Sequence, residues 1–226
     1  PTGSGKSTTL YSAVRHIATP EINLVTVEDP VEYQLDGINQ VPVNPKAGLT
    51  FSGALRSILR QDPDVVLLGE IRDAETLEIA VKAALTGHLV LSTLHTNDAP
   101  STITRMVDMG CDPFMVSSST LLICAQRLGR RLCVSCKKPA DIPKEALIRL
   151  GFREEDFDDK DLPMTFFEPV GCPRCNHGYK GRFALLETMR MTESVKRMVV
   201  DGAHLQDIKT QALSEGMLTL RRCGLL

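Results

Sequence analysis

The chain has 226 residues, 42% of them hydrophobic, and a formal net charge of -2 at pH 7, enough apolar material for one large or two smaller cores. That balance excludes a disordered chain and a uniformly basic nucleic-acid binder. No apolar run reaches the roughly eighteen residues of a membrane span and no signal peptide is visible, so a cytosolic protein is expected.

The opening stretch "PTGSGKSTTL" carries the second half of a Walker A pattern, G-x-x-x-x-G-K-[ST], whose leading Gly would lie one position before Pro1. Thr2, Gly3, Ser4, Gly5, Lys6, Ser7 and Thr8 are therefore candidate nucleotide-binding residues. The glycines let backbone N–H groups turn towards an anion, and the start of the following helix adds positive potential. Lys6 would reach the β and γ phosphates, and the Ser7 hydroxyl would bind Mg²⁺.

Helical stretches "KSTTLYSAVRHI" and "DAETLEIAVKAALTG" alternate with the apolar runs "INLVTV" (22–27), "DVVLLG" (64–69) and "HLVLSTL" (88–94). Such alternation predicts a parallel sheet covered on both faces. Asp98 with Pro100 opens a further helix that stops at Gly110. In open α/β sheets the residues just beyond each strand matter most, which singles out Glu28, Asp29 and Glu32, then Glu70, Arg72 and Asp73, then His95. Glu28 and Glu70 stand where phosphoryl transfer to water needs a proton acceptor and a carboxylate for the metal's water shell. His95 could donate to a γ phosphate, whereas His16, His88 and His204 read as structural residues.

Near residue 130 the texture changes. Residues 127–138 hold five basic residues and no acid, residues 154–161 hold six acids, and strand-like apolar runs cease. Cys133, Cys136, Cys172 and Cys175 form two C-x-x-C pairs, which in a reducing compartment predict a closed, structural Zn²⁺ site. Cys111, Cys124 and Cys223 read as small buried residues. Amphipathic helices are expected near 193–201 and 204–214. The fold class is thus α/β, with a core over 1–128, a tetracysteine subdomain over 129–180 and a helical C-terminal region over 181–226.

Taken together, "PTGSGKSTTLY", "TVEDPVEY", "ALRSILRQDPDVVLLGEIRDAET" and "ALTGHLVLSTLHTNDA" resemble the Walker A, Asp, Walker B and His boxes of the motor ATPases of bacterial type II secretion and type IV pilus assembly. The likeness runs on through "AQRLGRRLC", both cysteine pairs, "GYKGR" and "EGMLTL". It implies a RecA-like P-loop NTPase core in a homo-hexameric cytoplasmic ring, peripheral at the inner membrane through platform and adaptor proteins, using ATP, Mg²⁺ and Zn²⁺. It also implies that Lys6 and Ser7 hold phosphate and Mg²⁺, that Glu28 and Glu70 form the acidic pair with Glu70 at the metal, and that His95 and His88 belong to the His box. Arg127 would lie near the nucleotide or a subunit contact. Gly69 occupies the position directly after the Walker B strand, as in the family's own variant, and whether Glu28 or Glu70 is the base stays open. The family's N-terminal domain, which supplies arginines to the shared site, lies outside these residues, so they alone are expected to bind ATP and turn it over poorly. The tetracysteine insert favours assembly and secretion motors over retraction motors.

Two other readings compete. A nucleic-acid translocase would use Arg127, Arg130, Arg131, Lys137 and Lys138, but that run has no aromatic residue for base stacking, so no nucleic-acid partner is expected. A non-catalytic zinc-stabilised assembly module is opposed by the intact Lys6, Ser7, Glu28 and Glu70.

Overall fold

The computed structural model describes residues 3–158 and 164–226. Along the chain run α1 (Lys6–Ile17), β1 (Leu24–Glu28), β2 (Asn39–Pro42), α2 (Phe51–Ile58), β3 (Val65–Leu68), α3 (Ala74–Leu85), β4 (Leu89–Ser92), α4 (Pro100–Asp108), α5 (Pro113–Ser119) and β5 (Leu122–Leu132). There follow β6 (Lys138–Ala140), α6 (Lys144–Leu150), β7 (Phe166–Glu168), β8 (Tyr179–Arg190), α7 (Glu193–Val200), α8 (Leu205–Ser214) and α9 (Leu220–Leu225). Two compact units result, one of residues up to Ala125 with Thr188–Met217, the other of Gln126–Glu187 with Leu218–Leu226.

The first unit is built on a parallel sheet of order β2-β1-β3-β4. Every residue of β1 and β3 is buried, as expected for central strands covered on both faces. Tyr11 and Val14 of α1 close one face over Leu24, Val65 and Leu67, with Leu35 joining from the loop after β1. Successive strand residues alternate faces, so Val66 and Leu68 serve the opposite layer. Each fully buried Leu or Val of this kind contributes about 1.5–3 kcal/mol of transfer free energy. The helix starts follow the residues that cap them. Asp73 accepts the Thr76 N–H at 2.7 Å to open α3, and Thr192 accepts that of Val195 to open α7. Asp98 accepts the Ser101 N–H at 3.0 Å at the head of α4 and pairs with Lys209 of α8 at 3.8 Å.

The strand registers bring the C-terminal ends of three strands together, with Val27 opposite Leu68 and Leu68 opposite Ser92. This edge carries the residues that follow the apolar runs. β2 extends the sheet beside β1, although "NQVP" shows no apolar run.

In the second unit the expectation of a strand-free region fails. β6 and β7 pair antiparallel, and residues 181–190, placed in a helical region by the sequence reading, lie in the twelve-residue β8. β5 and β8 form a two-stranded sheet, and the division between units falls inside both strands. The Phe183 ring of β8 lies over Gly129 of β5, 2.7 Å from where a Cβ would stand. Residues 154–157 form a 3-10 turn whose Asp156 is buried and bound at both carboxylate oxygens by Arg222 of α9.

Candidate functional site

At the loop before α1, Gly3 and Gly5 adopt φ of 74° and 84°, conformations that other residues rarely tolerate. Gly5 caps α1 without any side-chain hydrogen bond, unlike Thr50, Asp73 and Thr192 at the heads of α2, α3 and α7. A helix start led by left-handed glycines brings backbone close to whatever lies beyond the helix, and the helix dipole makes that end positive. Ser4 is buried, Gly5 and Lys6 are half-buried, and Ser7 and Thr8 are exposed. Thr2 lies outside the described residues.

Glu28 ends β1 and is only 4% exposed. Tyr11 Oη donates to its Oε2. Thr26 Oγ1 donates to Oε1 at 2.6 Å and Gln40 Nε2 to the same oxygen at 3.0 Å. Three protein donors thus replace the water a carboxylate would otherwise need. Burial, followed by the bond to Glu28, pushes the Tyr11 phenol up to about 12, so it remains a donor. The Tyr11 oxygen also accepts from the Glu32 N–H at 3.3 Å.

Glu70 follows Gly69 at the end of β3, where the Gly69 N–H reaches Val27 O at 2.8 Å. A Cβ on Gly69 would lie 3.4 Å from Glu28 Cα, so the two strand ends run in close contact. Glu70 receives Arg72 Nη2 on Oε1 and lies 2.9 Å from His95 Nε2 through Oε2. The Arg72 guanidinium is the main reason that its carboxyl sits below the usual range; burial opposes this and His95 assists. Glu70 raises the pKa of Arg72 in return, chiefly through the same hydrogen bond. Arg72 Nη1 also faces Asp29 at 3.7 Å. Thr93, just beyond β4, locks the edge by donating to Gly69 O at 2.8 Å and accepting the Ile71 N–H at 2.9 Å.

Glu28, Glu70 and His95 therefore share one sheet edge. His88 sits at the other end of β4, where its Nδ1 lies 3.0 Å from Ala83 O at the close of α3, about 13 Å of strand away. Arg127 belongs to the second unit and donates to Gln126 O at 3.0 Å. Sequence reasoning gave no role to Tyr11, Thr26 or Gln40. The signal available was Tyr11 standing one turn past Ser7, on the same side of α1.

In the second unit the sulfurs of Cys133, Cys136, Cys172 and Cys175 lie within 4.8 Å of one another. Separations are 3.9 Å for Cys133 and Cys172, 3.8 Å for Cys136 and Cys175 and 3.7 Å for Cys172 and Cys175. These exceed any disulfide bond. They match the roughly 3.8 Å edge of a tetrahedron of sulfurs each about 2.3 Å from a central zinc. Each pair sits on a tight turn, with Lys137 N–H bonded to Cys133 O and Cys175 N–H to Cys172 O. The Ser135 N–H is the leading cause that pulls the Cys133 thiol down to about 7. At Cys172 the Arg174 N–H acts in the same sense, but burial and the neighbouring thiols outweigh it and push the group up to about 11.

A glycine-led helix start beside a parallel sheet with carboxylates at its strand ends defines an α/β protein of the phosphate-loop type. A family model described as "Type II/IV secretion system protein" matches residues 1–226, and the chain belongs to that family. It is 53% identical over 227 residues to the type IV pilus assembly ATPase PilB of Myxococcus xanthus, covering 100% of this chain and 39% of that protein. It is 50% identical over 201 residues to the type II secretion system ATPase E of Vibrio cholerae, covering 88% of this chain and 39% of that protein. The chain thus spans about two fifths of the length of these relatives. Among solved structures it is similar to the pilus retraction motor PilT with bound ADP, with a TM-score of 0.65 and 29% identity over 99% of this chain and 58% of that one. It is also similar to the Legionella pneumophila ATPase DotB, with a TM-score of 0.64 and 25% identity over 96% of this chain and 51% of that one.

Proposed function

We propose that this chain is the motor region of an ATPase that powers type IV pilus assembly or type II secretion, working as a homo-hexameric ring on the cytoplasmic side of the bacterial inner membrane. One juxtaposition carries the reading: the glycine-led start of α1, tied by Tyr11 to Glu28, lies on the unit that holds the Glu70–His95 pair at its strand ends. The named relatives are ATPases of these two machines. Among the described residues no helix is long and apolar enough to cross a membrane.

Phosphoryl transfer to water asks little covalent work of a protein; positioning and charge stabilisation do most of it. The N–H groups around Gly3 and Gly5, with Ser4, Lys6, Ser7 and Thr8, cradle the phosphates, and Lys6 offsets charge on the β and γ groups. Mg²⁺, held through Ser7 and Glu70, would neutralise the charge that builds on the transferred phosphoryl group. Glu70 is partly open to solvent and orients the attacking water or takes its proton. His95 shares the Glu70 carboxylate and is placed to donate to the γ phosphate. Glu28, buried and bound by three donors, holds the strand end and leaves the proton work to Glu70. Arg127 would lie near the nucleotide or at a subunit contact. Cys133, Cys136, Cys172 and Cys175 would hold Zn²⁺ in a subdomain over 129–180, where four thiolate ligands would give it a structural role.

The test is ATP binding and hydrolysis by the full-length protein. Lys6→Ala should abolish binding of a fluorescent ATP analogue. Glu70→Gln should keep binding and lower kcat by roughly 10²- to 10⁴-fold, the share general acid–base groups supply. Unchanged hydrolysis in both variants would remove the assignment.

A further inference from the structure

Tyr11 sits on α1, four residues past Ser7 and so one turn along the same face. The residue is 1% exposed. Its hydroxyl joins two segments. It donates to Glu28 Oε2 at the end of β1 and accepts from the Glu32 N–H in the loop that follows. The ring also meets that loop, with Tyr33 edge-on at 4.6 Å between centroids and 76° between planes. Gln40 of β2 closes the arrangement from the other side, donating to Glu28 Oε1 and accepting the Leu35 N–H at 2.7 Å. The loop begins with Asp29, which faces Arg72 at 3.7 Å, and Arg72 holds Glu70. Two sets of polar contacts, Tyr11 with Glu28 and Glu32 and Arg72 with Asp29 and Glu70, are therefore joined by the backbone from Glu28 to Asp29.

We infer that Tyr11 is a positioning residue, fixing α1 and the 29–40 loop against the buried Glu28 carboxylate and thereby holding the phosphate loop in register with Glu70. A phenol needed only to fill the core could be replaced by Phe at little cost beyond one hydrogen bond. Here the hydroxyl serves two partners on a segment separate from its own helix, and one of those partners is a buried carboxylate, which is costly to leave short of a donor. Misplacement by about 1 Å at a reacting centre costs as much as 10²-fold in rate without altering groups that merely bind. The inference rests on the proposed ATPase activity.

The test compares wild type, Tyr11→Phe, Glu28→Gln and the double variant as full-length proteins, with kcat and KM for ATP measured separately. Tyr11→Phe should lower kcat by about 10- to 100-fold and move KM by less than about threefold, since the loop that binds phosphate is intact. In the Glu28→Gln background it should lower kcat hardly further, because residues acting as one unit are non-additive. Gln40→Leu removes a donor from the other Glu28 oxygen without touching α1, and it should show the same split between kcat and KM. Wild-type kcat in folded Tyr11→Phe, or in Gln40→Leu should Tyr11→Phe fail to fold, overturns the inference; so do losses that add independently in the double variant. A wild-type protein without ATPase activity would instead overturn the proposed function on which it stands.

Discussion

Glu70 takes its two donors on opposite oxygens, Arg72 on one and His95 on the other. With its pKa held below the ordinary value of 4.5, chiefly by Arg72, it is ionised throughout the neutral range and loses charge only as pH falls beneath that value. Arg72→Met removes the largest cause, so Glu70 should bind its proton more readily and the acid limb of kcat/KM should move to higher pH; an unmoved limb would mean that another group sets it. Asp156 shows the same sign in a structural role. Arg222, then the Arg153 N–H, pull it from 3.8 to about 2. A group depressed on folding stabilises fully above its unfolded pKa and loses that contribution as pH falls through the folded one. The stability gap between wild type and Asp156→Asn, read from denaturant melts, should therefore be constant near neutrality and close between pH about 4 and about 2. Neither pair was legible in the sequence as a pair. Glu70 was found as a carboxylate at a strand end, but Asp156 looked like one acid among six, and its partner lies 66 residues away.

The central strands and the helices α1, α3, α4, α7 and α8 followed their local signals closely, whereas α2, α5, α6 and α9 matched no sequence expectation. The Gly-Lys-Ser start fixed α1, the Asp73 cap and Gly87 bounded α3, and the apolar runs became β1, β3 and β4 within two residues at most ends. Asp73→Ala should cost about 1 kcal/mol in a denaturant melt, the usual worth of such a cap. The missed strands are those whose burial is one-sided or slight. β2 is an edge strand ending in Pro42, and β5 and β8 mix apolar residues with arginines because much of their surface is exposed. The cysteine turns were legible from spacing alone, since each C-x-x-C reverses the chain locally, but the glycine that lets the segments approach was not. Gly178 has φ 86°, and a Cβ there would fall 2.5 Å from Pro169 Cβ and 2.8 Å from its Cα. Gly178→Ala should destabilise the second unit by more than about 1 kcal/mol, and if zinc fills the cluster it should lower the zinc content found by elemental analysis. Zinc bound at full stoichiometry in Gly178→Ala would separate the turn from the metal.

At the level of the whole chain, the order of boxes and cysteine pairs was sufficient to place it in the type II/IV secretion family. The division into units was harder to read. Leu218–Leu226 returns to the second unit after the chain has passed back through the first, a path set by contacts such as Arg222 with Asp156 and not by any local pattern. The account's central claim is that the sheet edge carrying Glu28, Glu70 and His95 hydrolyses ATP in an assembled ring. The direct measurement is ATPase activity of the full-length protein and its Glu70→Gln variant across size-separated fractions, with and without DNA. Activity that follows the ring-sized fraction, ignores DNA and disappears in Glu70→Gln is the predicted result. Activity that survives Glu70→Gln, or that depends on DNA, would contradict it.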